Sequence, residues 1–255
     1  MQGLALQLYP ACPKGITLLQ CRLDGDCDIA LTEATALLSP SETARAARFY
    51  FDRDRNRYVR GRGFLRQTLG QALGQPAAGL DLTEGPQGKP VLAGDDLAFN
   101  LSHSRDLAVV ALSARGPIGL DIEFIDRKLD IAGLAQSCFD ADEVAVLDRL
   151  PAAARQTRFF AFWTAKEARM KLTGEGLSLP PKAISLILQD GWPVGYSRPE
   201  HDVPVGAVFL ETGRADVLCC LAFFNNFRAP ERFPTRHRHH GLFSTSDKIL
   251  GRQPF

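Results

Sequence analysis

Asp121 and Glu123 stand two residues apart in the strand-like run Gly119-Leu120-Asp121-Ile122-Glu123, and this pair is the part of the sequence best suited to hold a cation. Side chains alternate along a strand, so Leu120, Ile122 and Phe124 share one face and the two acids share the other. Two anions that close repel unless a cation or a basic ligand lies between them. A third carboxylate, Glu167, sits in the helix-like run Trp163-Thr164-Ala165-Lys166-Glu167-Ala168-Arg169-Met170-Lys171. Trp163, Glu167 and Lys171 are spaced i, i+4, i+8 and so form one stripe. With that stripe turned to the strand, three carboxylates converge with a lysine beside them. Hard oxygen ligands that leave room for water and phosphate describe a Mg²⁺ site. The pattern predicts metal-assisted chemistry on a phosphorylated substrate. Each piece also has an ordinary reading: an Asp-x-Glu at a strand end is usually a solvated face. Glu167 and Lys171 alone would be a helix pair worth ~0.2–0.5 kcal/mol.

The elements that must position these groups follow from patterning. Residues 15–23 read as a strand and 31–38 as a helix. Ser39 is the expected N-cap of the next helix, with Pro40 at its first position. The helical pattern then continues to about residue 73, and 74–79 breaks it. Strands at 97–101 and 107–112 are joined by a turn at 102–106, preceded by the Gly/Pro-rich connection Gly88-Lys89-Pro90. After Pro117 come the acidic strand, helices near 141–150 and 154–172, and closing strands at 184–188, 205–210 and 217–224. Helix and strand thus recur in similar order on either side of Pro117, which predicts an α+β chain in two halves.

Composition sets bounds. The chain has 255 residues, 45% hydrophobic and 23% charged, ordinary for a globular protein with a real core. A formal net charge of +1 gives no global field for nucleic acid. The first ten residues lack a basic region followed by a long apolar one, and no stretch reaches the ~18 apolar residues of a bilayer span. Six cysteines show no paired CxxC spacings, so they are expected as reduced thiols in a cytoplasm. Eight arginines between Arg45 and Arg66 face only two aspartates, Asp52 and Asp54. They form either a solvated helix face, an RNA surface or a set of phosphate contacts, and the expected lack of interleaved exposed aromatics and of any recognised module disfavours RNA.

In order, Gly88-Lys89-Pro90, Phe99-Asn100-Leu101-Ser102-His103-Ser104, Gly119-Leu120-Asp121-Ile122-Glu123, Phe162-Trp163 with Lys166-Glu167-Ala168 and Lys171, and Gly174-Glu175-Gly176-Leu177-Ser178-Leu179-Pro180 make a specific combination. Over roughly residues 35–225 the sequence resembles the 4′-phosphopantetheinyl transferases of the surfactin-synthetase-activating (Sfp) type. The resemblance implies two similar α+β halves about a pseudo-twofold axis, with the active site between them. The boundaries expected are 1–116 for a nucleotide-binding half, 117–227 for a metal-binding catalytic half and 228–255 for an extension outside the fold.

The activity implied is transfer of 4′-phosphopantetheine from coenzyme A, as co-substrate, to a serine of an apo acyl or peptidyl carrier protein domain. Adenosine 3′,5′-bisphosphate is released. Mg²⁺ would be held by Asp121, Glu123 and Glu167, and Lys171 would bond the same phosphates. The resemblance places Arg45, Arg48, Lys89, Ser102 and His103 on the nucleotide phosphates, although Glu42 stands where a basic residue is expected. Glu167 is the first choice of base for the serine proton and Glu143 the second; Trp163 is expected to pack. The segment holding Arg127, Lys128, Cys138 and Phe139 borders the metal and is the expected carrier face. A monomer without nucleic-acid or membrane partners completes this reading, and the alternative is a non-catalytic paralogue that binds coenzyme A or a nucleotide.

Overall fold

The computed structural model describes residues 12–94, 97–126, 128–198, 200 and 202–225. The extension at 228–255, the first ten residues and Arg127 lie outside them.

The first half begins with strand β1 (Ile16–Arg22), followed by helices α1 (Leu31–Leu37), α2 (Pro40–Ala46) and α3 (Asp52–Leu73). Ser39 caps α2 as expected. Its hydroxyl accepts the Glu42 N–H, and the Glu42 carboxylate accepts the Ser39 N–H at 2.8 Å, a reciprocal capping box. The continuous helix expected to residue 73 is instead broken between Ala46 and Asp52. Phe51 is extended, and Asp52 and Asp54 fill the first turn of α3, where the helix dipole favours anions. A short hairpin of β2 (Leu82–Glu84) and β3 (Pro90–Leu92) precedes β4 (Ala98–Ser104) and β5 (Leu107–Ser113). β5 is central in the antiparallel order β1-β5-β4, and all seven of its residues are buried, as its unbroken apolar run requires.

The second half holds β6 (Ile118–Phe124), α4 (Ala132–Cys138), α5 (Ala141–Asp148), α6 (Ala152–Thr173), β7 (Leu186–Gln189), β8 (Trp192–Tyr196), β9 (Val205–Phe209) and β10 (Val217–Phe224). Its sheet has the order β6-β10-β9-β8-β7. Strand β8 and helix α4 were not anticipated. The turn between β7 and β8 is Asp190-Gly191, both with positive φ (52° and 73°), the conformation an Asp-Gly hairpin favours. The halves are alike in content: each has an antiparallel sheet and a 22-residue helix ended by a left-handed glycine, Gly74 or Gly174. None of the helices among the described residues is long and apolar enough to cross a membrane.

The sheets share one core. Ile16, Leu18, Leu107 and Val109 from the first meet Leu120, Ile122, Phe124 and Leu221 from the second. Alternation then turns Gly119, Asp121 and Glu123 toward α6. Gly119 permits a close approach: a Cβ there would lie 1.9 Å from the Ala168 carbonyl oxygen and 2.4 Å from the Leu172 nitrogen. Gly119→Ala should therefore push α6 from β6 and lower stability by ~3 kcal/mol, toward the top of the overpacking range. Denaturant titration checks this, and an unchanged midpoint would contradict the packing.

Phe139, expected at the carrier face, is 1% exposed. Its ring lies 5.1 Å from Phe159 and 5.6 Å from Phe162, in the core under α6. It is core because the residue that closes α4 must cover the aromatic side of α6; it cannot serve as an exposed docking residue.

Candidate functional site

Strands β4 and β6 belong to different sheets, yet they are stitched together by side chains. From Asn100 onward every second residue of β4 is polar, and each bonds β6. Asn100 Oδ1 accepts the Leu120 N–H at 2.8 Å, Ser102 Oγ accepts the Ile122 N–H at 3.2 Å, and Ser104 Oγ donates to Glu123 Oε2 at 3.1 Å. An edge strand with buried N–H groups must find acceptors, and here side chains supply them. This also corrects the turn expected at 102–106. Ser102, His103 and Ser104 remain in the strand, paired with Val109, Ala108 and Leu107, and only Arg105-Asp106 turns.

Asp121 is buried at the centre. Lys171 Nζ lies 2.6 Å from its Oδ1 and Ser102 Oγ 3.0 Å, while its Oδ2 is buried with no hydrogen-bond partner. Burial pushes the Asp121 carboxyl above its usual range, against the opposing pull of Lys171. Glu123 is pushed up to about 7, first by burial and then by the Asp121 charge. Trp163 Nε1 donates to Glu123 Oε1 at 3.3 Å, so the tryptophan expected only to pack also holds an acid. Glu167 is likewise raised by burial and by Asp121. It lines a cleft of about 400 Å³ with Lys89, Pro90, Asn100, Met170 and Lys171. The Lys89 ammonium donates to the Lys171 carbonyl at 2.7 Å, and burial with the Lys171 charge brings its pKa down to about 8.

The structure thus brings Asp121, Glu123, Glu167, Lys171, Lys89 and Ser102 to one seam. In this conformation no three His, Cys, Asp or Glu side chains among the described residues converge closely enough to hold a metal. The ammonium of Lys171 occupies the place beside Asp121. The donor chemistry nevertheless fits a divalent cation: hard oxygens, a buried carboxylate oxygen without a partner, and carboxyls that burial raises at all three positions, joined at Glu123 and Glu167 by the Asp121 charge.

The raised carboxyls have a measurable consequence. A carboxyl whose folded pKa is raised holds more protons in the folded than in the unfolded state, so stability falls as pH rises. For Glu123 the window runs from about 4.5 to about 7. The metal-free protein should melt higher at pH 5.5 than at pH 8 by a margin that Glu123→Gln narrows, and Mg²⁺ should restore more stability at pH 8. Melting curves in EDTA and in Mg²⁺ check this. A slope identical in the variant would contradict the assignment.

The remaining expected residues fall elsewhere. Arg45 pairs with Glu84 at 2.5 Å, lies over the Tyr58 ring and reaches the neighbourhood of Gly88, beside the cleft. Arg48 is exposed and has no ion pair among the described residues, and His103 is exposed near the end of β4. The other arginines of the run are engaged: Arg57 with Asp24, Arg60 with the Leu23 carbonyl, Arg62 and Arg66 with Glu42, Arg53 and Arg55 with neighbouring aspartates. Glu42 is therefore a buried anchor for α2 and α3, which accounts for an acid where a basic residue is expected.

Glu143 is not brought to the seam. It is buried, with its oxygens taken by the Asp140 and Leu186 N–H groups, both at 3.0 Å, and by Lys166 Nζ at 2.7 Å. Lys166 precedes Glu167, and so points about 100° away around the helix. Trp163, Asn100 and Ser104 are contributors that residue typing missed. The alternation of polar residues along Asn100-Leu101-Ser102-His103-Ser104 was the signal for two of them.

Both halves match family models: "4′-phosphopantetheinyl transferase, N-terminal" over residues 27–115 and "4′-phosphopantetheinyl transferase superfamily" over residues 117–205. The chain is 41% identical over 152 residues to the 4′-phosphopantetheinyl transferase HetI of Nostoc sp., covering 58% of this chain and 64% of that protein, less than two thirds of its length. It is 33% identical to psf-1 of Bacillus pumilus, over 66% of this chain and 71% of the relative. A Bacillus subtilis 4′-phosphopantetheinyl transferase is 31% identical over 71% of this chain and 79% of its own length. With its halves matched in order and relatives above 30% identity aligned over more than two thirds of their length, the chain belongs to the 4′-phosphopantetheinyl transferase family.

Proposed function

We propose that this chain transfers the 4′-phosphopantetheine group of coenzyme A to a serine hydroxyl of an apo acyl or peptidyl carrier protein and releases adenosine 3′,5′-bisphosphate. The observation that carries the reading is the buried Asp121, with one oxygen unpartnered, set among Glu123, Glu167 and Lys171 beside a cleft that Lys89 and Lys171 make positive. Asp121, Glu123 and Glu167 would hold Mg²⁺, which when bound neutralises charge on the diphosphate as the nucleotide leaves.

The chain's own groups supply the rest. Lys171, with three donor protons, can bond a phosphate oxygen as well as Asp121. Lys89 borders the same cleft and holds the end of α6 through the Lys171 carbonyl. Arg45, Arg48 and His103 are assigned to the nucleotide phosphates, Arg45 from its position near Gly88. Glu167 takes the proton of the carrier serine, because a ligand of the cation would already stand beside the reacting phosphorus. The deeply engaged Glu143 is a poor candidate for that role, because accepting a proton there would break its pairing with Lys166.

Mixing the protein with coenzyme A, Mg²⁺ and apo-carrier should release adenosine 3′,5′-bisphosphate in step with carrier consumed, measured by chromatography. Binding of coenzyme A with no nucleotide released from it in the presence of any acyl or peptidyl carrier would instead mark a non-catalytic binding protein.

A further inference from the structure

We infer that β4 is a template for the acidic strand. Ser102 and Ser104 act as positioning residues that set Asp121 and Glu123 for a divalent cation, and Ser102 is not a phosphate ligand. The inference rests on the reading of Asp121 and Glu123 as cation ligands.

Hydrogen-bond capacity carries the argument. A serine hydroxyl has one proton to give and two lone pairs to receive. Ser102 Oγ is 3.2 Å from the Ile122 nitrogen and 3.0 Å from Lys171 Nζ. A backbone N–H and an ammonium can only donate, so both lone pairs are taken. The one proton must then go to Asp121 Oδ1 at 3.0 Å. Nothing remains for a phosphate oxygen, and Ser102 is buried, 3% exposed. The cleft beside Lys89 and Lys171 is lined from β4 by Asn100 and Leu101, and Ser102 is not among its walls.

The same device recurs along β4. Asn100 fixes the Leu120 amide one pleat before Asp121, and Ser104 donates to Glu123 Oε2 one pleat after. Two of the three carboxylates thus take their orientation from a strand of the other half, and Ser102 also fixes the backbone of β6 through the Ile122 N–H. With Oδ1 of Asp121 held by Ser102 and Lys171, Oδ2 is the oxygen left without a partner. A positioning role of this kind acts on metal affinity, where loss of a partner that orients a ligand typically weakens binding 10–100-fold.

The test uses the full chain and two titrations followed by calorimetry: Mg²⁺ without coenzyme A, and coenzyme A in EDTA. Ser102→Ala should weaken Mg²⁺ binding by about tenfold or more and leave coenzyme A affinity in EDTA unchanged. Ser102→Thr, which keeps the hydroxyl, should restore the Mg²⁺ affinity. Ser104→Ala, at a less buried position, should shift Mg²⁺ in the same direction and decides the matter if Ser102→Ala does not fold. Weakened coenzyme A binding in EDTA with unchanged Mg²⁺ binding would overturn the inference and make Ser102 a phosphate ligand. Unchanged Mg²⁺ affinity in both alanine variants would overturn it while leaving the cation site standing. Absence of Mg²⁺ binding by the wild-type chain would overturn the cation reading and the template with it.

Discussion

Asp121→Asn should abolish transfer without unfolding the protein. The carboxamide keeps the size of the side chain but not the charge that attracts a cation, and loss of a metal's charge stabilisation is worth several kcal/mol. A fall in kcat of ~10³-fold or more corresponds to about 4 kcal/mol. Stability should move the other way. Burial raises the Asp121 carboxyl, so the ionised group is held at a cost in the metal-free fold, and a neutral isostere relieves it. Lys171, 30% exposed, can turn to water once its partner is neutral. In EDTA at pH 8 the variant should melt at or above the wild-type temperature. Near-normal Mg²⁺-dependent turnover, or a large loss of stability, would contradict the role given to Asp121.

The largest stability effect should come from a pair outside the seam. Lys166 is fully buried; its ammonium donates to Glu143, to the Ile184 carbonyl at 2.6 Å and to the Pro181 carbonyl at 2.9 Å. This one cation ties α6 to α5 and to the loop leading into β7. Lys166→Met would leave Glu143 buried and uncompensated, at ~3–5 kcal/mol. Adding Glu143→Leu should recover part of that, because a hydrophobic replacement of both partners removes the stranded charge, although the Asp140 and Leu186 amides lose an acceptor. Denaturant midpoints of the single and double variants measure the coupling. Independent, additive losses would contradict the pairing. Glu143→Gln also bears on chemistry: with Glu167 as the base, activity per folded molecule should survive that change.

Much of the seam was legible in the sequence because its logic is local. The Asp121-x-Glu123 alternation follows from a strand, the stripe of Trp163, Glu167 and Lys171 from a helix, and Ser39 with Glu42 is a cap written within four residues. The hairpin of β7 and β8 was also written locally, in Asp190-Gly191, but Pro193 and Gly195 disguise the second strand. Other features depend on partners far apart in the chain. Ser102 looks like a turn residue until β6 supplies the amide and the carboxylate that keep it in a strand. Glu143 looks like an available acid until Lys166 is found beside it, and Phe139 looks exposed until the aromatic side of α6 covers it. The arginine run shows the same limit, since Arg57, Arg62 and Arg66 each pair with an acid twenty residues or more earlier in the chain.

Intact-mass measurement of an apo-carrier incubated with this protein and coenzyme A tests the central claim most directly. In Mg²⁺ the carrier should gain the mass of one phosphopantetheine group on its serine; in EDTA, and with Asp121→Asn in Mg²⁺, it should gain nothing. Equal modification in EDTA, or by the Asp121 variant, would contradict a reaction that runs through the carboxylates of the β4–β6 seam.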